Sequence, residues 1–248
     1  MTRDEQPILY AMLDSFLDSG VISEVMEFVK GGKEATVFRC RAGGDAPQQK
    51  FYAAKVYRPR KYRRFRNDAA YQNGRVILSS RARRAVAKRT EFGHEVHQGL
   101  WVAAEYETQE MLFAAGVDVP RPIACNGDAI LMEWIGDADA PAPQLKDVKL
   151  QPHEPRPMLQ RLLRNVETLL AHNRIHGDLS PFNVLYWNGK AILIDFPQAV
   201  DPRMNGESYA LLYRDIDNLC RYFSRYGVEM NVTRIAGAMW EKFVRGQL

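Results

Sequence analysis

Residues 176–196 constrain this chain more than any other stretch. They open with a polar loop, HGDLSPFN (176–183), followed by two short apolar runs, Val184–Trp187 and residues 191–194, joined by Asn188-Gly189. Asn-Gly between apolar runs supplies two residues tolerant of positive φ, as a two-residue hairpin requires. The hairpin returns Asp195 to the neighbourhood of the loop that carries Asp178 and Asn183. Any fold of this chain therefore has to gather three oxygen-bearing side chains at one end of a small hairpin.

The rest of the chain reads as β-rich first and mostly helical later. Apolar residues at helical spacing predict one amphipathic helix over residues 7–19. Strands are expected over residues 21–29, 35–40 and 51–57, with a Gly31-Gly32 turn between the first two. Residues 58–99 show no clean periodicity. A helix is expected over residues 101–115, ended by Gly116. Pro120 and Pro122 mark an extended connection, and residues 129–135 read as a buried strand. The proline-rich stretch 136–157 reads as a linker, and residues 158–172 as a strongly amphipathic helix. Helices follow Asp201-Pro202 to the end. This order predicts an α+β fold, and 248 residues suit one domain or two closely packed lobes.

Charge is unevenly spread. Residues 58–89 carry twelve Lys or Arg and one acid, Asp68, a net +11. The whole chain carries +4, so the remainder carries 4 − 11 = −7. Such a block suits nucleic acid or phosphate groups, or a solvated insertion. Cys40, Cys125 and Cys220 are scattered without a CxxC pair, which gives neither a disulfide framework nor a zinc site. No apolar run approaches the ~18 residues of a spanning helix. Residues 1–6 are polar and lack an apolar signal segment, so a cytoplasmic protein without a membrane partner is expected.

The gathered side chains suit phosphoryl transfer. That chemistry needs a carboxylate to orient or deprotonate the nucleophile, and oxygen ligands to hold Mg²⁺ on the phosphates. Asp178 can serve as the first; Asn183 and Asp195 can serve as the second. His176 is read as bracing the loop, and His172 as lying at its helix end. In the 51–57 strand, alternation puts Ala53, Lys55 and Tyr57 on one face. Lys55 could there reach the phosphates of ATP and pair with a helical glutamate, for which Glu105, Glu107 and Glu110 are candidates. Gly32, Lys33 and Glu34 form a turn whose backbone N–H groups could cradle phosphate. His94 and His97 are three apart but have no evident third ligand, and are read as exposed.

Seven segments together resemble the RIO family of atypical serine/threonine protein kinases: GGKEATVF (31–38), AAKVY (53–57), AAGVDVPRPI (114–123), LMEWIG (131–136), HGDLSPFNVLY (176–186), IDFPQAV (194–200) and YRDIDNL (213–219). They occur in the family's order over about residues 21–225. The resemblance implies a trimmed, two-lobed, kinase-like fold that binds ATP with Mg²⁺ or Mn²⁺. The β-rich N-lobe would span about 21–132, the hinge 133–136 and the mostly α C-lobe 137–248, with a basic flexible insertion at about 58–99. Lys55 and Glu105 would form an ion pair, and Met132, Glu133 and Ile135 would line the adenine site through the backbone. Asp178 would be the catalytic acid-base residue, with Asn183 and Asp195 on metal. In some members the residue matching Asp195 accepts phosphate, which implies an aspartyl-phosphate ATPase cycle. About 20 residues precede the first strand, so the winged-helix domain of one branch is not expected and a bacterial-type member is.

The primary expectation is a serine (auto)kinase or ATPase acting on a protein substrate or on itself. One alternative is a small-molecule phosphotransferase of the aminoglycoside or choline kinase kind, which shares the HGD…N loop. The other is an RNA-binding scaffold. Segment 58–89 would then contact RNA or a ribonucleoprotein, with Tyr62, Phe65 and Tyr71 as stacking partners.

Overall fold

A computed structural model describes residues 5–44, 50–58 and 91–248, with backbone alone over 91–97. The basic segment beyond Arg58 and the side chains of His94 and His97 lie outside the described residues. The chain forms two compact units. The first takes the described residues up to Arg58, residues 91–107 and Arg121–Trp134; the second takes Thr108–Pro120 and Ile135–Leu248.

The first unit is built on an antiparallel sheet. Its strands are β1 (Ile22–Gly31), β2 (Ala35–Ala42), β3 (Phe51–Tyr57), β4 (Pro122–Cys125) and β5 (Ala129–Glu133), in the order β1-β2-β3-β5-β4. β4 was hidden in the sequence by Pro120 and Pro122, which read as an extended connection. It is an edge strand, where Pro122 costs no central ladder bond.

Two short helices, α1 (Gln6–Ala11) and α2 (Asp14–Asp18), precede the sheet, where the sequence predicts a single helix. The break has a cause. The Met12 carbonyl accepts from Asn126 Nδ2 at 2.8 Å, and the Leu13 N–H turns back to the Tyr10 carbonyl at 2.8 Å. Leu9, Leu13 and Phe16 still bury together against Phe38, Cys40, Tyr52, Ala54 and Val56 on one sheet face.

The opposite face carries Ala35, Tyr57 and Ile130, packed against Trp101 and Val102 of α3 (Glu91–Ala114). That helix starts ten residues before the predicted Trp101, inside the stretch read as a basic flexible insertion (58–99), so the last part of that stretch is helical.

The second unit holds α4 (Pro155–Ala171), the hairpin β6 (Val184–Trp187) and β7 (Lys190–Leu193), α5 (Ser208–Ser224) and α6 (Val232–Val244). Leu159, Leu162, Val166 and Leu169 of α4 pack with Leu193, Leu212, Ile216 and Leu219 in one core. The stretch read as a linker is tied down. Gln144 bridges to Leu185, a 3₁₀ turn spans Leu145–Asp147, and Pro155 opens α4. The Asn188-Gly189 turn has φ of 49° and 75°, the left-handed pair that the two-residue hairpin needs. An antiparallel sheet followed by a helical unit with a small hairpin gives the expected α+β, kinase-like fold. No helix among the described residues is long and apolar enough to cross a membrane. The three cysteines are free, and burial pushes the Cys40 thiol up to about 12.

Candidate active site

In the second unit the loop and hairpin close into a hydrogen-bonded ring. Ile175 and Val200 exchange backbone bonds at 3.0 Å, which pins the entry and exit of the segment. The Asn183 N–H donates to the Ser180 carbonyl at 2.9 Å, and the Ile194 N–H to the Asn183 carbonyl at 3.0 Å. His176 Nε2 lies 3.2 Å from the Ile194 carbonyl, and the Asp178 N–H points at His176 Nδ1 at 3.4 Å. The second contact makes Nδ1 the acceptor, so the network assigns the proton to Nε2. His176 is buried, with its ring 4.9 Å from that of Phe196. It thus braces the Asp178 loop against the segment that leads from β7 to Asp195.

Asn183 Nδ2 donates to the Asp178 carbonyl at 2.9 Å and to the Asp178 carboxylate at 3.3 Å. This commits the amide nitrogen and leaves Oδ1 as the atom suited to a cation. Asp195 has φ of 74°, in the left-handed region where a non-glycine residue costs about 1–2 kcal/mol. Such strain collects at functional sites. Asp178 is exposed, while Asn183 and Asp195 are half-buried.

The group that holds the loop from behind escaped the sequence reading. Asp215 of α5 is 1% exposed and accepts the N–H of Gly177 at 2.8 Å and of Leu179 at 2.9 Å. Burial pushes its carboxyl pKa up, against the opposing pull of the two N–H donors and of the nearby Arg214 charge. Arg214 donates to the Gly177 carbonyl, and Asn218 Nδ2 to the Leu179 carbonyl at 2.9 Å. The loop backbone is thus gripped on both edges by one turn of α5. The only signal for this was the quoted run YRDIDNL, which carried no assigned role.

In the first unit, Lys55 Nζ lies 2.6 Å from Glu105 Oε1, and the Tyr57 hydroxyl donates to the other oxygen of the same carboxylate. Glu105 is 3% exposed, whereas Glu107 and Glu110 point to solvent. The Tyr57 ring meets Trp101 edge-on at 4.9 Å, and the Lys55 ammonium stands 5.2 Å over the Tyr57 ring. The glycine turn closes through the Gly32 N–H to the Ala35 carbonyl at 2.8 Å. Lys33 is exposed, and the Glu34 carbonyl accepts from the Arg58 N–H at 3.0 Å. Met132 and Glu133 end β5, two residues short of the predicted strand end. The Glu133 N–H donates to the Arg121 carbonyl at 2.8 Å. The Ile135 carbonyl accepts from the Ala142 N–H at 2.8 Å.

The family model of the RIO domain matches residues 36–235, which include Lys55, Glu105, the ring and Asp215. The chain belongs to the RIO family. Its RIO-family relatives include the serine/threonine-protein kinase rio1 of Schizosaccharomyces pombe, 30% identical over 216 residues, 86% of this chain and 41% of that protein. The RIO-type serine/threonine-protein kinase Rio1 of Haloferax volcanii is 29% identical over 223 residues, 89% of this chain and 70% of that one. The Rio1 of Thermoplasma acidophilum is 34% identical over 137 residues, 55% of this chain and 70% of that one. The chain therefore spans well under half of the fission-yeast protein and about two-thirds of the archaeal ones.

Proposed function

We propose that this chain is an ATP- and divalent-metal-dependent phosphoryl-transfer enzyme, a serine (auto)kinase or ATPase. The observation that carries the proposal is the ring that ties Asp178, Asn183 and the strand leading to Asp195 together, anchored by Asp215. The kinase names of the relatives favour a protein acceptor, or the chain itself, over a small molecule.

The residues fit a hard divalent cation. Mg²⁺ and Mn²⁺ take few protein oxygens and complete their shell with phosphate and water, and the Asn183 amide oxygen and the Asp195 carboxylate are oxygen donors of that kind. Asn183 Oδ1 and the Asp195 carboxylate would hold the metal, which when bound would neutralise charge on the transferring phosphoryl group. Asp178 accepts the proton of the attacking hydroxyl and orients it. Lys55, fixed by Glu105, holds the α- and β-phosphates, and the Gly32–Lys33–Glu34 turn, closed by the Gly32 N–H on the Ala35 carbonyl, adds the Lys33 charge beside them. Met132, Glu133 and Ile135 recognise adenine through the backbone. In the ATPase variant an Asp195 oxygen attacks the γ-phosphorus, ADP leaves, and water then cleaves the acyl phosphate to free phosphate. Segment 58–89 would recruit RNA or a ribonucleoprotein by charge.

The test is γ-labelled ATP with Mg²⁺, comparing wild type with Asp178→Ala and Asp195→Ala. Label transfer or phosphate release that disappears in both variants supports the proposal. Label that survives hydroxylamine marks serine phosphorylation, and label released by hydroxylamine an aspartyl phosphate. Wild-type turnover in Asp195→Ala would remove that residue from the site.

A further inference from the structure

The sheet face that carries Lys55 also carries a buried arginine that the phosphoryl-transfer reading does not use. Register places Val37, Lys55 and Ile130 in one cross-strand row, and Glu27, Arg39, Ala53 and Met132 in the next. The two rows lie two residues apart along each strand, ~6.6 Å. One row holds the residue assigned to phosphate. The other ends at Met132, the start of the backbone assigned to adenine.

Arg39 is 8% exposed. Its guanidinium carbon stands 5.0 Å from the Phe51 ring centroid and 5.6 Å from that of Trp134, and its Nη2 lies 2.9 Å from Glu27 Oε1. Trp134 is itself buried, and it separates Glu133 from Ile135 in the chain.

An arginine is a poor choice for packing alone. Taking a charge out of water is costly, and an apolar side chain of the same volume generally stabilises a core as well or better. The Glu27 side chain is 49% exposed, so that ion pair returns little. What arginine alone supplies is a rigid plane that stacks on two aromatic rings while a carboxylate fixes its edge. Phe51 belongs to β3 and Arg39 to β2, so the stack fastens Trp134 to two strands of the sheet.

We propose that Arg39 is a positioning residue for the nucleotide base: through Trp134 it fixes the Glu133–Ile135 backbone at the geometry that adenine requires. This rests on the phosphoryl-transfer reading and adds a base-side determinant to it. The role acts on the base and not on the phosphates, which are left to Lys55.

The experiment measures the affinity of the full chain for Mg-ATP and for Mg-tripolyphosphate, which has the phosphates without the base, together with KM and kcat. The variants are Arg39→Met, Arg39→Lys and Trp134→Leu, each checked by its thermal midpoint. Arg39→Met and Trp134→Leu are expected to weaken ATP binding about tenfold, the scale of a desolvated cation–π contact. KM rises with kcat held, and tripolyphosphate affinity stays at the wild-type value. Arg39→Lys keeps charge without the plane and recovers part of the loss. Unchanged ATP affinity in a folded Arg39→Met or Arg39→Lys would overturn the inference. So would a parallel fall in ATP and tripolyphosphate affinity, which marks general loosening. Failure of the unaltered chain to bind ATP at all would overturn the phosphoryl-transfer reading, and this inference with it.

Discussion

Lys55 and Glu105 are 50 residues apart in the chain and 2.6 Å apart in space. The side chains are 12% and 2% exposed, so their charges are poorly screened and neither can turn to water. Removing one partner of such a pair strands the other. Lys55→Met is expected to lower unfolding free energy by about 3 kcal/mol, the low end of the range because Tyr57 still donates to Glu105. Adding Glu105→Leu should restore part of it. Denaturant unfolding of the single and double variants measures both. A single variant as stable as wild type would show that the pair contributes no stability. ATP turnover should fall by ~10²-fold in Lys55→Met.

Asp215 carries two backbone N–H groups of the loop that holds Asp178 on its two carboxylate oxygens. Asp215→Asn keeps shape and removes one acceptor, leaving an N–H facing an NH₂. An unsatisfied buried group costs about 1–3 kcal/mol. The expected result is a loss of that size in stability, with kcat reduced and the Kd for nucleotide little changed, because the loop orients Asp178. Equal kcat in wild type and variant would show that the loop holds its shape without Asp215.

Gly177 has φ of 79°, and a Cβ there would sit 2.6 Å from the Gln198 carbonyl oxygen. Both features exclude a side chain, and backbone cannot give way as a flexible side chain does. Gly177→Ala is therefore expected to destabilise by more than the ~1 kcal/mol of an ordinary glycine replacement at positive φ. It should also displace Asp178, read as a fall in kcat. A folded variant with wild-type rate and stability would contradict the clash.

Asp118 binds Arg161 at 2.6 Å and Asn165 at 2.8 Å, joining the segment after α3 to α4. Partial burial opposes its ionisation. The two hydrogen bonds and the Arg161 charge outweigh that and hold its pKa below the ordinary aspartate value. A carboxyl depressed on folding adds stability at pH above its unfolded value, and loses it as pH falls through the folded value. The thermal midpoint should therefore drop as pH is lowered from ~4, and Asp118→Asn should flatten the slope in that window alone. Identical slopes would assign the acid sensitivity to other groups.

What the sequence determined by itself was local. Asn188-Gly189 specified its hairpin because only residues tolerant of left-handed φ fit that turn, and both adopt it. The 51–57 run specified β3, and alternation alone put Lys55 and Tyr57 on one face, where both reach Glu105. Tertiary structure decided whatever depended on a partner distant in the chain. The predicted helix at 7–19 breaks because Asn126 takes the Met12 carbonyl. Pro122 enters a strand because it lies at the sheet edge. Asp215 becomes the anchor of a loop 36 to 38 residues away only once α5 packs beneath it. Arg39, which by composition belongs in water, is buried because Phe51 and Trp134 are brought to either side of it. A short-range pattern carries the sterics of its own backbone, but the free energy of burying a charge belongs to surroundings that exist only after folding.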